Sequence, residues 1–171
     1  MTTKKLTLMA VLTAVSLIIF IIEAQIPLPI AVPGVKLGLA NSVTLFALFF
    51  SYGKEKNAGS LTTFDAFMIL ICRVILGAVF TGRIIAFIYS LAGGLLAFAA
   101  QALTKRIVTR KQVWVCGAIG AIFHNIGQIT AAAFVNGTFA IVAYLPVLII
   151  AGVFTGVLTG LVAQLTLSRL R

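Results

Sequence analysis

The feature that most constrains this chain is a series of long apolar runs separated by short polar or basic connections. The runs fall at about 6–24, 37–52, 64–81, 84–104, 113–135 and 139–167. A helix crosses the hydrocarbon core of a bilayer in about 20 residues. Six such crossings with short loops use nearly all of the 171 residues. We therefore predict an all-α integral membrane protein, with a single transmembrane domain of about six helices over residues 1–171.

Composition supports lipid as the surrounding medium. The chain is 61% hydrophobic and 9% charged, with a mean hydropathy of +1.19, whereas soluble domains carry roughly 25% charged residues. The net charge of +10 would favour nucleic acid as the partner of a soluble protein. Here the basic residues lie between apolar runs, so membrane topology and anionic lipid explain them better. We expect no nucleic-acid partner.

The basic residues also predict orientation. Ten of the thirteen fall on one side of the predicted bundle: Lys4, Lys5, Lys54, Lys56, Lys105, Arg106, Arg110, Lys111, Arg169 and Arg171. The positive-inside rule places that side in the cytoplasm. Because the number of crossings is even, both termini are expected there.

Loops and contact faces can be predicted from small residues and prolines. Pro27, Pro29 and Pro33 prevent a helix from running through 26–34, and Asn136-Gly137 predicts a tight turn. Small residues at four-residue spacing let helix backbones approach closely. Such spacing occurs in three helices, at Gly152, Gly156 and Gly160, at Gly117 and Ala121, and at Ala10 and Ala14.

Three polar side chains, His124, Asn125 and Gln128, lie within five residues of the fifth apolar run. His124 and Gln128 are one helical turn apart and share a face. Unpaired polar groups in hydrocarbon cost several kcal/mol, as an order of magnitude, so each needs a partner. An interhelical hydrogen-bond cluster and a ligand-binding patch are both consistent with this pattern, and we favour the patch.

Three basic residues lie outside the cytoplasmic set. Arg73 lies within the third run, where a cation usually faces a cavity or a partner. It either forms an ion pair with Glu23 or binds an anionic group of a ligand. Lys36, which we expect to open the second helix, and Arg83, which we expect to open the fourth, either extend to lipid headgroups or form a basic entrance for an acidic solute.

Several residue patterns that carry catalytic chemistry are missing from the sequence. Its three acidic residues, Glu23, Glu55 and Asp65, are far apart, whereas chemistry on diphosphates needs clustered carboxylates to hold Mg²⁺. There is one histidine and no GxxxxGK[ST] phosphate-binding loop. We expect no enzymatic activity, no metal site and no cofactor.

Several motifs together resemble the Gx transporter family, whose members are often labelled heptaprenyl diphosphate synthase component I. They are Val32–Asn41, Arg73–Gly77 with Thr81-Gly82, Ser90–Gly94, Gly120–Gln128, and Tyr144–Pro146 with the glycines of the last helix. The resemblance covers nearly the whole chain. The His-Asn-Ile-Gly-Gln stretch at 124–128 is its most specific part.

That family is similar to the substrate-binding S-components of energy-coupling-factor (ECF) transporters. The resemblance implies an S-component-like bundle in a bacterial plasma membrane, cytoplasmic termini, and a ligand pocket that opens outward beneath a lid at 25–36. It also implies a coupling subunit with ATPases as partners, which would dock on Ala10 and Ala14.

Two functions follow as hypotheses. The first is a solute-binding transport subunit that captures a small anionic or amphipathic molecule and depends on partners for energy. The second is a non-catalytic accessory subunit of prenyl or quinone metabolism, or of flavin-linked electron transfer. For the first, the expected substrate-binding residues are His124, Asn125, Gln128, Arg73, Lys36, Arg83 and Asn41.

Overall fold

A computed structural model of the chain describes residues 3–26, 36–50 and 61–170. Within these ranges the chain forms six α-helices and no strand, which confirms the predicted all-α membrane fold. Residues 27–35, which make up most of the predicted proline loop and lid, and residues 51–60 lie outside the described part of the chain.

The helices follow the apolar runs to within a few residues, with two exceptions at helix starts. Their bounds are α1 Thr3–Glu23, α2 Asn41–Phe50, α3 Thr63–Thr81, α4 Ile84–Thr104, α5 Val113–Asn136 and α6 Leu145–Arg169. Short 3₁₀ turns at Arg110–Gln112 and Phe139–Tyr144 lead into α5 and α6. The last run therefore begins with a 3₁₀ turn, and its α-helix starts next to Pro146, which suits a first helical turn.

The prediction for the second run needs correction. Five of the described helices are long and apolar enough to cross a membrane, but α2 has ten residues and is about 15 Å long. Lys36 does not open this helix, because residues 36–40 are not helical. Gly38 has a φ of +81°, a conformation that a helix does not contain. Most of α2 is buried, so it packs inside the bundle.

Helix ends show the expected local chemistry. Thr62 and Asp65 form a reciprocal capping box at the start of α3, which satisfies free backbone N–H groups of the first turn. Gly82 and Gly137 end α3 and α5 in the left-handed conformation, with φ values of +65° and +63°. The turn predicted at Asn136-Gly137 is therefore confirmed.

Helices α4, α5 and α6 pack backbone against backbone. A Cβ atom at Gly117 would meet the carbonyl oxygen of Gly156 and would lie 2.9 Å from Cα of Gly160. On the other side of α5, a Cβ atom at Gly127 would lie 2.7 Å from the carbonyl oxygen of Ala92. Close contact through glycine gains dispersion energy without side-chain bulk, as the four-residue spacing predicts for Gly117, Gly156 and Gly160.

Helices α1, α2 and α3 are joined mainly through side chains. Lys5 and Asp65 form an ion pair of 2.6 Å between the first turns of α1 and α3. Ser16 Oγ donates to the carbonyl oxygen of Ala40, at 3.0 Å. The outer surface of the bundle carries large exposed apolar side chains, such as Phe154 on α6, which is 80% exposed. This is the surface that lipid would cover.

Candidate functional site

Six buried polar or charged side chains converge inside the bundle, and we call them the polar cluster. Its members are Glu23, Lys36, Asn41, Arg73, His124 and Gln128, and each is at most 7% exposed. They come from α1, the 36–40 segment, α2, α3 and α5. Four of the helices and one connecting segment therefore contribute to a single site.

A line of hydrogen bonds runs through the cluster. Arg73 Nη2 donates to Oδ1 of Asn41 at 2.9 Å, and Nδ2 of Asn41 lies 2.9 Å from Nδ1 of His124. The other ring nitrogen, Nε2, contacts Nε2 of Gln128. Gln128 Oε1 accepts from the backbone N–H of Lys36 at 2.8 Å. The line therefore links α3, α2 and α5 to the 36–40 segment.

The 36–40 segment, which we call the strap, is held against the cluster by side chains. Glu23 Oε1 accepts from the backbone N–H of Gly38 at 2.5 Å, and Gln128 holds the N–H of Lys36. Gly38 permits this approach, because a Cβ atom there would lie 2.6 Å from Cδ2 of His124. Its positive φ also favours glycine.

Two glycines of α4 leave space for the His124 ring and the Gln128 side chain. A Cβ atom at Gly93 would lie 2.8 Å from both Nδ1 of His124 and Cγ of Gln128. The next residue, Gly94, lies beside Arg73, whose Nη2 would be 3.7 Å from a Cβ atom there. The paired glycines of the 90–94 motif therefore make space for the cluster.

The two cations of the cluster lie against an aromatic ring. Lys36 Nζ is 3.1 Å from the ring centroid of Phe20, and Cζ of Arg73 is 5.7 Å from it. Both distances suit a cation–π interaction. The ring fits beside α3 because that helix has Gly77 at the contact, where a Cβ atom would lie 2.5 Å from Cε1 of Phe20.

The alternative of a direct Glu23–Arg73 ion pair does not hold in the described part of the chain. The ion pair found there joins Lys5 and Asp65, and the carboxylate of Glu23 holds the strap instead.

Burial lowers the pKa of Lys36 to about 8. Glu23 opposes this decrease, and Arg73 and Arg83 reinforce it.

The cluster contains more hydrogen-bond donors than acceptors. Because arginine only donates, Oδ1 of Asn41 faces Arg73 and its NH₂ group faces Nδ1 of His124. A neutral imidazole accepts at only one of its two nitrogens, whereas amide NH₂ groups face both of them, that of Asn41 at Nδ1 and that of Gln128 at Nε2. Among the described residues, Nε of Arg73 also has no partner. The arrangement suits a ligand that supplies acceptors.

The structure brings five of the seven predicted binding residues together and separates two. His124, Gln128, Arg73, Lys36 and Asn41 all belong to the cluster. The two exceptions, Asn125 and Arg83, lie elsewhere.

Asn125 turns towards α6, although it is next to His124 in sequence. Its Nδ2 donates to the carbonyl oxygen of Leu148 at 2.6 Å and lies against Gly152. It therefore joins α5 to α6. Arg83 is exposed just before α4 and is not part of the hydrogen-bonded line, although it lowers the pKa of Lys36.

Sequence reasoning missed Phe20 and treated Glu23 only as a counter-ion. A signal was present, since Ser16, Phe20 and Glu23 follow helical spacing and are the buried residues of α1. Ala10 and Ala14 lie on the exposed part of the same helix. Both side chains are therefore accessible from outside the bundle.

A small polar cavity adjoins the cluster between α2, α4, α5 and α6. Its lining includes Asn41, Ser42, Gln101, Thr155 and Thr159, and it has room for about one water molecule.

The described residues contain no group of three histidine, cysteine or acidic side chains that could hold a metal ion.

Comparison with known proteins gives one match. The sequence model of a family described as heptaprenyl diphosphate synthase component I matches residues 12–166, a range that contains every member of the polar cluster. None of the curated proteins and none of the solved structures matches this chain.

Proposed function

The chain belongs to the heptaprenyl diphosphate synthase component I family, and we propose that it serves there as a solute-binding membrane subunit. It would capture a small anionic or amphipathic molecule from the outer side of a bacterial plasma membrane. Its family name describes a component of a synthase, and its long apolar helices are those of a multi-pass membrane protein.

The observation that carries this proposal is the polar cluster with its excess of donors. A cluster built only to join helices would pair its donors with acceptors, since unpaired buried polar groups are costly. Here Nε of Arg73 has no partner among the described residues, and two amide NH₂ groups face the His124 ring, which can accept from only one of them. A few polar groups within apolar walls are typical of small-molecule sites.

Each member of the cluster has a role in this proposal. Arg73 and Lys36 attract the negative part of the solute, while His124 and Gln128 orient it by hydrogen bonds. Asn41 holds the Arg73 guanidinium and the His124 ring in position through its two bonds. The strap closes over the solute and opens when Glu23 and Gln128 release its backbone.

Transport by such a subunit requires an energy source from outside the chain. We propose an ECF-type coupling subunit with ATPases as the partners, in line with the resemblance of the sequence to S-components. The exposed position of Ala10 and Ala14 on α1 is compatible with docking at that face. Lipid covers the remaining apolar surface.

The family description favours a second candidate. The chain could act as a non-catalytic accessory subunit that binds a prenyl or quinone species, or an electron-transfer partner, for an enzyme made by other chains. The cluster would then bind the polar end of a lipid. This candidate predicts a hydrophobic bound molecule, whereas the first predicts a water-soluble one.

The deciding experiment is to purify the whole chain in mild detergent and identify the small molecules that remain bound by mass spectrometry. A water-soluble solute supports the transport subunit, and a polyprenyl or quinone species supports the accessory subunit. The variants H124A and R73A should lose that molecule, because each removes a polar group of the cluster.

A matched control comes from Asn136, an amide on the same helix as Gln128 that bonds Tyr89 outside the cluster. N136A should retain the bound molecule. If H124A and R73A retain as much as the wild type does, the polar cluster is not the binding site and the proposal fails.

A further inference from the structure

The charges of the polar cluster do not balance. Lys36 and Arg73 are buried with one carboxylate, that of Glu23, so the three groups carry a net charge of +1. Glu23 holds the Gly38 amide of the strap and does not form an ion pair with either cation. An uncompensated buried cation is costly in a protein interior, and more so within a membrane.

The protein holds both cations against an aromatic ring in place of a second acid. Phe20 lies close to Lys36 Nζ and to the guanidinium of Arg73. A cation–π contact stabilises a charge but accepts no conventional N–H···O hydrogen bond. The Nε–H of Arg73, a residue that is 2% exposed, is left without a partner among the described residues. Both cations therefore remain able to bind oxygen acceptors.

We propose that the solute carries one carboxylate, and that this carboxylate binds Lys36 Nζ and Arg73 Nε beside the Phe20 ring. The proposal rests on the solute-binding function proposed above and narrows it to a class of ligand. One negative charge neutralises the cluster, and two carboxylate oxygens suit two separate N–H donors. A phosphate monoester, with a charge of about −1.5 to −2 at pH 7, would reverse the sign of the cluster.

The remaining donors determine what else the solute presents. The NH₂ groups of Asn41 and Gln128 both face the His124 ring, which can accept from only one of them, and Asn41 bonds Arg73 directly. A carbonyl, hydroxyl or ring nitrogen of the solute would accept from the NH₂ group that the ring leaves without an acceptor. The ligand is thus a monocarboxylate with at least one further acceptor.

The test uses the full chain in lipid nanodiscs and a panel of small monocarboxylates, each with its primary amide and its phosphate monoester as matched probes. Binding is measured by ligand-observed NMR against empty nanodiscs. We expect the best carboxylate to bind at least tenfold more tightly than its amide and its phosphate. K36Q should remove this preference, and it leaves in place the backbone N–H that bonds Gln128.

R106Q is the matched control, because Arg106 is an exposed cation outside the cluster and is not among the groups that act on Lys36; it should leave the preference unchanged. R73Q should act as K36Q does, provided that its thermal unfolding shows a folded protein. The carboxylate assignment is overturned if no carboxylate binds more tightly than its amide, if a phosphate is preferred, or if K36Q binds as the wild type does.

The two proposals can fail separately. A bound solute that depends on His124 but has no carboxylate would overturn this inference and leave the solute-binding function intact. If the chain carries no solute on purification and binds none of the panel, both proposals are wrong.

Discussion

The glycine-packed helices and the strap are held in place by different chemistry. Helices α4, α5 and α6 pack through glycine, with backbone atoms in contact at Gly117, Gly127 and Gly156. The strap, in contrast, is held by individual hydrogen bonds of its backbone to the side chains of Ser16, Glu23 and Gln128, while α1 meets α3 through Phe20 against Gly77 and through apolar side chains. The glycine contacts have one close-packed arrangement, whereas the bonds of the strap are few and separable.

This difference predicts which part of the bundle would move on binding of the proposed solute. Closely packed interiors resist deformation, so the glycine-packed half is expected to act as a fixed frame that presents His124 and Gln128. The strap is bound to that frame and to α1 by individual hydrogen bonds. It can therefore open with the loss of two or three bonds while the frame stays intact.

The largest effect should come from disturbing the frame. G117V places a side chain against the backbone of Gly156 and Gly160, and overpacking of this kind costs up to about 3 kcal/mol and occasionally more. We expect that loss in the free energy of unfolding, measured by denaturant titration in mixed micelles.

The control for this variant is G137A. Gly137 has open space around it but a positive φ, so alanine there should cost about 1 kcal/mol through backbone strain alone. Equal losses in the two variants would show that α5 and α6 are not closely packed at Gly117.

A smaller effect should follow from releasing the strap. In a C72S background, L39C reports opening of the strap through its rate of reaction with a thiol reagent. E23A removes the acceptor of the Gly38 N–H and should raise that rate about tenfold, equivalent to about 1.4 kcal/mol.

Q164A provides the comparison from the glycine-packed half, because Gln164 accepts from the backbone N–H of Val113 at 3.1 Å. It should leave labelling of L39C near the background rate. If Q164A accelerates labelling as strongly as E23A, the strap and the frame open together and the contrast between them is wrong.

Carboxylate binding should weaken at alkaline pH. Because burial lowers the pKa of Lys36 to about 8, its ammonium group loses a proton as the pH rises from 7 to 9, and the attraction for an anion falls. We expect affinity for the best monocarboxylate to drop about fivefold over this interval.

The groups that act on Lys36 are Glu23, which raises its pKa, and Arg73 and Arg83, which lower it. K36R keeps a positive charge throughout this interval and should bind the same carboxylate with an affinity that does not change with pH. A pH dependence that survives in K36R would assign the titration to another group.

The smallest effect is expected at the ion pair between Lys5 and Asp65. Lys5 is partly exposed, at 20% for its side chain, and pairs of this kind contribute roughly 0.5 kcal/mol. K5Q should lower the free energy of unfolding by about that amount, and K4Q, one residue earlier and exposed, should not change it. A loss of several kcal/mol in K5Q would mean that α1 depends on this one contact.

The sequence predicted the helices better than it predicted their partners. Apolar runs and glycine at helix ends determine where a membrane helix lies, because lipid requires each backbone group to bond within its own segment. The second run was the exception. Its apolar residues continue from 37, but the positive φ of Gly38 and its contact with His124 interrupt the helix, and that contact spans 86 residues of chain.

For the polar residues too, the sequence predicted which side chains need partners but not which partners they contact. Their cost in lipid identified His124, Gln128, Arg73 and Lys36 as residues that needed partners. Which partner each one found was not determined by spacing. Asn125 is adjacent to His124 yet bonds α6, because neighbouring residues on a helix point about 100° apart.

By itself, the sequence determined that this chain lies in lipid, that it forms helices at the apolar runs, and that its few buried charges must be compensated. Those conclusions follow from composition and local geometry. Only the tertiary structure decided that two cations lie beside Phe20, that Glu23 holds the strap and that Asn41 joins Arg73 to His124. Such contacts depend on how distant helices are positioned against one another, and helical periodicity gives a residue's face but not the residue opposite.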